Sequence, residues 1–495
     1  MTTSLPFRSL RAALVLLCLT PVAAAAQSIA IKTVPIPHGE QFLLFPSANM
    51  GAGGLHIAAS DRLLDPFINP ALGARTEGTW FSTHPTFYGS NDNMVAGGSL
   101  RLTVRGGGER WFGGVMVAMQ QVEDPSRDRW GWIPRPEPTD QVLLGNEPSN
   151  SYFHGSLGRR LGGGRTAVGA SVYYADLGAV DGVNRLYARS VGIDQAGDLS
   201  EVRLGLLHDL TGERTLEATV SRSMLDMSHH VHYLDWGWDE PTGTPWTRQW
   251  EEDNRDRTET WGTRLRYTAP LQGEDTRFGV VLAANTKDHP KIPNYEVVNI
   301  PRDPGNSAVF GIGAGIQKQE GNNTLGAEVL LSPGKSHTWA FADTIVELPS
   351  GAKLQPGDKT VDNRFRYANW SMRVGFDHEA ERYGAQLGLG FTNYSYRLEQ
   401  KNFLRETERT TREGWMEWSP SWGAMYRIGT FELRYSGRFV AKGFTDDGWF
   451  VTRAEGDAIA APGSIDFVVA PTDPVDMPDF RVTTHRFGVT VPLGR

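Results

Sequence analysis

Apolar and polar residues alternate with a period of two along several stretches of the 495-residue chain. In residues 383–392, tyrosine, alanine, leucine and phenylalanine occupy the odd positions, and glycine, glutamine and threonine occupy the even ones. The same alternation occurs in residues 277–284, 308–316, 370–377 and 431–439. A two-residue period is typical of a β-strand whose two faces meet different surroundings. The pattern therefore predicts an all-β fold.

The candidate strands number about sixteen, an even count of the kind that bacterial single-chain barrels have. They begin near Thr79, Val95, Arg110, Ser151, Thr166, Ser200, Thr215, Thr258, Thr276, Ser307, Asn323, Arg364, Arg382, Arg412, Thr430 and Arg481. Tight turns between them alternate with long polar stretches, which lie around residues 122–149, 177–198, 225–256, 288–306, 334–360 and 442–480. Short turns at one rim and long loops at the other are typical of a transmembrane barrel, whereas a propeller would repeat a four-strand unit. We predict a transmembrane antiparallel β-barrel of about 14–16 strands over residues 77–495.

The first 26 residues have the features of a secretory signal peptide. Arg8 and Arg11 precede a short apolar run, and four alanines end at Ala26, the predicted cleavage site. The apolar run is shorter than the roughly 18 residues that a membrane-spanning helix needs. Cys18 is the only cysteine and is removed with this peptide, so disulfides, a cysteine nucleophile and thiolate metal sites are excluded. Export combined with a barrel fold predicts the cell outer membrane, with its lipid as a partner.

Composition and motifs narrow the possible functions. Acidic residues outnumber basic residues by 57 to 49 and no basic patch dominates, which argues against nucleic-acid binding. No Gly-x-Ser-x-Gly or His-Glu-x-x-His element is evident, so we predict no catalytic residue, no enzyme and no cofactor. His229 or His230 could bind a metal together with His232, since alternate strand residues share a face. We interpret these histidines instead as part of the polar, aromatic base of a loop, and we predict no metal site.

Charged residues recur on one face of the candidate strands. They are Arg203, Arg264, Arg266, Arg373, Glu432, Arg434 and Arg438. On the lipid face near the midplane, each arginine would cost about 2–4 kcal/mol, so these side chains are predicted to point into a polar, hydrated lumen. Two interpretations stay open. The arginines form a structural network with Glu201, Glu217, Glu328 and Glu417, or they contact a solute.

Residues 27–76 precede the first strand and combine apolar anchors with rigid kinks. Phe42 to Pro46 are largely apolar, and Pro70 fixes its own φ and restrains Asn69. About sixteen strands enclose a lumen wide enough for small solutes unless something fills it. We therefore predict that residues 27–76 form a hatch or plug in the lumen, with Asp65, Asn69, Pro70 and Ala71 as its characteristic residues.

Asn69-Pro70-Ala71, shortly before the first strand, resembles the Asn-Pro-Ala element in the N-terminal hatch of the long-chain fatty-acid and toluene transporter family (FadL-type). The order of signal peptide, glycine-rich stretch, Asn-Pro-Ala element and barrel is also similar. Two features differ, because the family's barrels have fourteen strands and this chain ends in Gly494-Arg495 rather than in an aromatic residue. The resemblance implies passive transport of a small hydrophobic or amphipathic solute. The alternative is a structural or partner-docking barrel with long extracellular loops, and the oligomeric state is left open.

Overall fold

A computed structural model describes the fold between the N-terminal region and the last strand. The described residues are 29, 31–33, 40–91, 96–122, 148–181, 183, 190–239, 244–271, 275–289, 305–342, 344–442, 468, 470 and 481–494. The predicted signal peptide, residues 1–26, and most of the predicted loops at 122–149, 288–306 and 442–480 lie outside these residues. The boundaries of the signal peptide (residues 1–26) and of the hatch or plug (residues 27–76) therefore stay predictions.

Strands make up most of the described chain. They are β1 (Gly78–Thr83), β2 (Thr86–Ser90), β3 (Ala96–Gly107), β4 (Trp111–Val122), β5 (Ser149–Leu161), β6 (Thr166–Leu177), β7 (Ser190–Asp209), β8 (Thr215–Asp239), β9 (Thr244–Pro270), β10 (Thr276–His289), β11 (Gly305–Glu320), β12 (Asn323–Phe341), β13 (Val346–Glu347), β14 (Lys353–Leu354), β15 (Lys359–Glu379), β16 (Tyr383–Asn402), β17 (Thr407–Ile428), β18 (Phe431–Lys442) and β19 (Arg481–Pro492). β13 and β14 form a separate small hairpin, and every other strand belongs to one antiparallel sheet.

The sheet closes on itself at the first strand. β1 and β2 both lie between β3 and β19, so they are two halves of one wall strand. The strand is interrupted at His84 and Pro85, since proline has no N–H to donate to the ladder. Arg101 compensates from β3 by donating two hydrogen bonds to the carbonyl oxygen of His84. The wall therefore has sixteen strands, and the predicted antiparallel β-barrel is confirmed.

The two rims differ in the length of their connections. The hairpins that join β3 to β4, β11 to β12 and β17 to β18 are short, and both ends of the wall, Gly78 and Pro492, lie at this short-turn rim. At the opposite, long-loop rim, the predicted loop at 225–256 is wrong, because β8 continues to Asp239 and β9 begins at Thr244. A strand that projects beyond the membrane has water on its outer face, so the apolar alternation is lost while the hydrogen-bonded ladder continues. Sequence pattern alone therefore mistakes such an extension for a loop.

The outward face of the wall is apolar. Leu204, Phe310 and Leu387 are more than half exposed at outward positions, and the alternate residues of their strands point inward. Towards the long-loop rim, the guanidinium of Arg222 lies over the ring of Trp261, as expected where the hydrocarbon ends and the headgroups begin. An apolar outer band on a closed barrel identifies a transmembrane protein of the outer membrane. Among the described residues, no helix is long and apolar enough to cross a membrane.

Candidate functional site

Residues 40–76, which we call the N-terminal segment, lie against inward-facing side chains of the wall. The segment contains three 3-10 helices and the short helix α1 (Asp65–Ile68). The amide of Gln386 on β16 donates to the carbonyl of Ala48 at 2.9 Å. Gly53 donates its N–H to the hydroxyl of Ser421 on β17 at 3.1 Å. The segment is therefore attached to the wall through backbone groups as well as side chains.

Inward-facing glycines make room for the backbone of this segment. A Cβ added to Gly375 would lie 2.0 Å from the carbonyl oxygen of Ala52, and one added to Gly279 would lie 2.1 Å from that of Ile57. Contacts this short are impossible for a real side chain, so only glycine allows the segment to approach these strands. The inward glycines of the alternating pattern were thus a signal in the sequence that marks where the segment lies.

Asn69 caps a 3-10 helix, Pro70–Arg75, that packs against β5, β6 and β7. The side-chain oxygen of Asn69 accepts the N–H of Ala71 at 3.0 Å, and its amide nitrogen donates to Leu206 of β7 at 3.2 Å. Asn69 is fully buried. Pro70 occupies the first helical position, where a backbone N–H would have no partner within the helix, so its absence in proline costs nothing. The residues identified from the sequence therefore connect the segment to the wall through one capped turn.

Asp61 organises the segment and was missed by sequence reasoning. Its carboxylate accepts hydrogen bonds from the hydroxyl of Ser47 and from four backbone N–H groups between residues 48 and 64. Asp65, one of the predicted hatch residues, is also buried and accepts the N–H of Asp61 at 3.0 Å. An aspartate that bonds backbone groups two and three residues later is a local turn signal, and that signal is readable at Asp61-Arg62-Leu63-Leu64.

Four of the predicted lumen arginines face inward in the half of the barrel nearer the short-turn rim. They are Arg203, Arg264, Arg266 and Arg373. Arg203 donates to the carbonyls of Phe67 and Ile68 in the segment, and it pairs with Glu201 of its own strand at 2.8 Å.

Arg266 and Arg373 follow the same arrangement. Arg266 binds the carbonyl of Ile57 and pairs with Glu217, both at 2.9 Å. Arg373 pairs with Glu328 at 3.1 Å, and Glu328 accepts the N–H of Ile57 at 2.9 Å. Arg203, Arg266 and Arg373 thus each donate to a backbone carbonyl of the segment and pair with a carboxylate of the wall. This geometry is that of the first interpretation given above, a structural network.

Glu432 on β18 accepts hydrogen bonds from three guanidinium groups. It accepts from Arg434 at 2.7 Å, from Arg62 of the segment at 2.5 Å and from Arg427 at 3.3 Å. Arg434 also lies 3.4 Å from the carbonyl of Ala48, and Arg438 is buried on the same inward face. Glu432 is therefore the shared counter-charge of Arg434, Arg62 and Arg427 in the part of the lumen nearer the short-turn rim.

Two clusters of apolar and aromatic side chains lie in the half of the lumen nearer the long-loop rim, where polar side chains such as Asn363 and Lys287 are also buried. The first aromatic cluster contains Phe42, Leu44, Phe45, Phe67, Met116, Tyr152, Tyr173, Leu199, Leu225, Met227, Val231 and Tyr233. The second aromatic cluster contains Ile29, Ile31, Val309, Phe365, Tyr367, Tyr394, Tyr396, Leu398 and Trp415. Inward positions of β15, β16 and β17 here carry large apolar rings, and polar side chains such as Asn363 and Gln400 are buried beside them.

A cavity of about 480 Å³ opens between the N-terminal segment and the wall at the short-turn rim. Leu55 and Leu63 of the segment, Trp80 of β1 and Thr324 of β12 contribute to its lining, together with charged residues such as Arg105. Its volume lies within the range of about 300–1,000 Å³ that small-molecule sites occupy. The mixture of apolar and charged groups suits a molecule with both kinds of surface.

The histidines at 229–232 lie on β8 rather than in a loop, and the strand separates them. His229 is buried on the inward face, while His230 and His232 are partly exposed on the outward face. Among the described residues, His230, His232 and Glu251 form the group of side chains whose potential ligand atoms come within 4.8 Å of one another. A hydrogen bond to Asp253 raises the pKa of the His230 imidazole above its ordinary value.

Comparison with known proteins gives structural similarity without similarity in sequence. No family model and no curated protein matches the chain. The toluene transporter TbuX of Ralstonia pickettii is 13% identical, with 91% of this chain and 98% of that chain covered and a TM-score of 0.40. A FadL homologue of Pseudomonas aeruginosa is 12% identical, with 95% and 100% covered and a TM-score of 0.39. The open form of the ferric-catecholate import receptor Fiu of E. coli is 9% identical, with 83% and 81% covered and a TM-score of 0.38. Values this low carry no information about function or solute.

Proposed function

We propose that this protein is an outer-membrane channel for passive transport of a small hydrophobic or amphipathic solute, closed by its N-terminal segment. The two aromatic clusters are the observation that carries the proposal. A barrel that passes hydrated solutes has a polar lumen, whereas here large rings such as Tyr173, Phe365 and Trp415 also point inward and pack with other apolar side chains. Such a lining favours a solute that gains free energy by leaving water.

The second support is the cavity at the opposite end of the segment. It lies at the short-turn rim, which is the periplasmic side of a bacterial barrel. An apolar body would contact Leu55 and Leu63, and a polar end would meet Arg105 or Arg434. A solute leaving the aromatic clusters would therefore find a second compatible site before it reaches the periplasm.

The N-terminal segment occupies the space between these two sites. Phe45 and Phe67 belong to the first aromatic cluster, with ring centroids 4.6 Å apart, while Leu55 and Leu63 line the cavity. Passage through the lumen then requires the segment to shift. Most wall contacts described above are hydrogen bonds between its backbone and charged wall side chains, and the net contribution of such a bond is about 1.5–3 kcal/mol. Displacement of part of the segment is consequently less costly than unfolding of the wall.

Two tryptophan variants on one strand test the proposal. Thr324 lines the cavity, and its neighbour Leu325 points outward into lipid. Thr324→Trp should reduce uptake of a radiolabelled alkylbenzene by intact cells, because the indole fills part of the cavity. Leu325→Trp should leave uptake unchanged, and a small sugar should enter at the same rate with or without the protein. Equal alkylbenzene uptake by cells that carry and cells that lack the protein would contradict the proposal.

A further inference from the structure

At the long-loop rim, the start of β7, the end of β8 and the start of β9 continue as a paired sheet beyond the membrane. We call this part the β7–β8–β9 extension. Arg222 and Trp261 mark the edge of the apolar band. On β8, His230 and His232 lie eight and ten residues past Arg222, which is roughly 26–34 Å along an antiparallel strand. The outward face of this extension is therefore in water, outside the cell and away from the lumen.

Strand register brings five side chains together on that face. His230 is opposite Asp194 of β7 and Asp253 of β9, and His232 is opposite Glu251 of β9. Side chains at opposite and diagonal positions of an antiparallel pair are close enough to interact. Two imidazoles and three carboxylates therefore share one patch.

Within the patch, each imidazole is oriented by an outer carboxylate. Nδ1 of His230 lies 2.6 Å from Asp253, and Nε2 of His232 lies 2.9 Å from Asp194. Carboxylates in this position fix the tautomer and the orientation of metal-binding histidines. The second nitrogens, Nε2 of His230 and Nδ1 of His232, are thereby directed to the same place.

Both of these nitrogens meet the carboxylate of Glu251. Nε2 of His230 is 3.3 Å from Oε2 of Glu251, and Nδ1 of His232 is 3.4 Å from Oε1. In a tetrahedral site with metal–ligand bonds of 2.0–2.1 Å, two ligand atoms are about 3.3–3.4 Å apart. Each nitrogen thus lies at a ligand-like separation from one oxygen of Glu251, and one ligand atom from each of the three residues lies within 4.8 Å of the other two.

We propose that His230, His232 and Glu251 bind a divalent transition-metal ion of the zinc type, with Asp194 and Asp253 as orienting partners. Imidazole nitrogen combined with carboxylate oxygen suits Zn²⁺, Ni²⁺ and Cu²⁺ better than Ca²⁺ or Mg²⁺. Three protein ligands leave a position for water. Because Glu251 is on β9 and both histidines are on β8, the ion ties the two strands of the extension together.

The competing interpretation is a set of histidine–carboxylate ion pairs without a metal. In that case the imidazoles are protonated, and the three carboxylates around them supply the opposite charge. With neutral imidazoles, the patch has three negative charges and no positive one, which a divalent ion offsets. The two interpretations differ in whether added zinc binds at this patch.

Zinc titration of the full-length, tag-free protein in detergent, against a chromophoric chelator, distinguishes them. The double variant His230→Ala, His232→Ala should lose at least about 100-fold in zinc affinity, since loss of merely an outer partner costs 10–100-fold. Glu251→Gln preserves shape and should weaken binding by about tenfold or more. Affinity should also fall at acidic pH, because metal ligands must be deprotonated and only the neutral imidazole binds metal.

His378→Ala is the matched control, since His378 is a partly exposed histidine at the short-turn rim, hydrogen-bonded to Asn323. It should bind zinc like the unchanged protein. Each variant is first checked for a folded barrel by its different gel mobility before and after boiling. The proposal would be overturned if the unchanged, folded protein bound zinc no more tightly than the double variant. It would also be overturned if His378→Ala lost as much zinc affinity as the double variant. Loss in Glu251→Gln alone would still place the ion at this patch, even if the double variant did not fold.

Discussion

Asn69 connects the N-terminal segment to the wall through a single buried amide. Its oxygen caps the helix at Ala71, and its nitrogen bonds Leu206. Asn69→Ala removes both bonds, and loss of such a cap typically costs about 1 kcal/mol. Amides of residues 65–75 should therefore exchange with deuterium roughly five times faster, with wall amides unchanged. Asn322→Ala, at an exposed turn, is the control. Unchanged exchange at residues 65–75 would show that the cap does not hold the segment.

Glu432 and its arginines predict charge effects of opposite sign. Glu432→Gln preserves the shape of the side chain but removes the one carboxylate shared by Arg62, Arg427 and Arg434. The lumen becomes more positive, so the reversal potential across a salt gradient should shift towards anion preference. Changing Arg434 and Arg438 together to Gln should shift it towards cations. Shifts in the same direction for both variants would indicate distortion of the wall rather than an effect of charge.

At the scale of the elements, the wall glycines determine where the segment can lie. A side chain at Gly375 would overlap the carbonyl of Ala52, whereas a Cβ at Gly89 on the outward face has its nearest neighbour 3.9 Å away. Gly375→Leu should therefore displace residues around 50–57 and make them sensitive to protease in a folded barrel. Gly89→Leu should leave the segment resistant. Equal resistance of both variants would mean that the wall, and not the segment, accommodates the added side chain.

The strands that cross the membrane were predictable, and the elements outside the lipid were not. Lipid on one face imposes strict alternation, so residues 277–284 and 383–392 indicated their strands and which face is outward. No such constraint acts on residues 225–256, which were mistaken for a loop. The charged lumen positions could be inferred from the cost of charge in lipid. Their partners could not, because pairs such as Arg203 with Phe67 depend on how the segment folds against the wall.

At the scale of the whole molecule, the wall closes without help from the N-terminal segment. β1 pairs with β3 and β19 along its own backbone, and Arg266 and Arg373 keep Glu217 and Glu328 as partners when the segment is absent. No buried guanidinium of these two pairs is then left without a carboxylate, which would otherwise cost about 3–5 kcal/mol. The barrel should consequently fold after deletion of residues 32–75.

Deletion of residues 32–75 should raise the single-channel conductance in a planar bilayer, because the lumen of a barrel of sixteen strands is wide enough for ions once nothing fills it. The deleted protein should still migrate differently on a gel before and after boiling, which shows that the barrel is folded. Asn322→Ala in the complete chain gives the reference conductance. If the folded deletion variant conducts no more than this reference, the segment does not close the pore, and the aromatic clusters or the loops at the long-loop rim must do so.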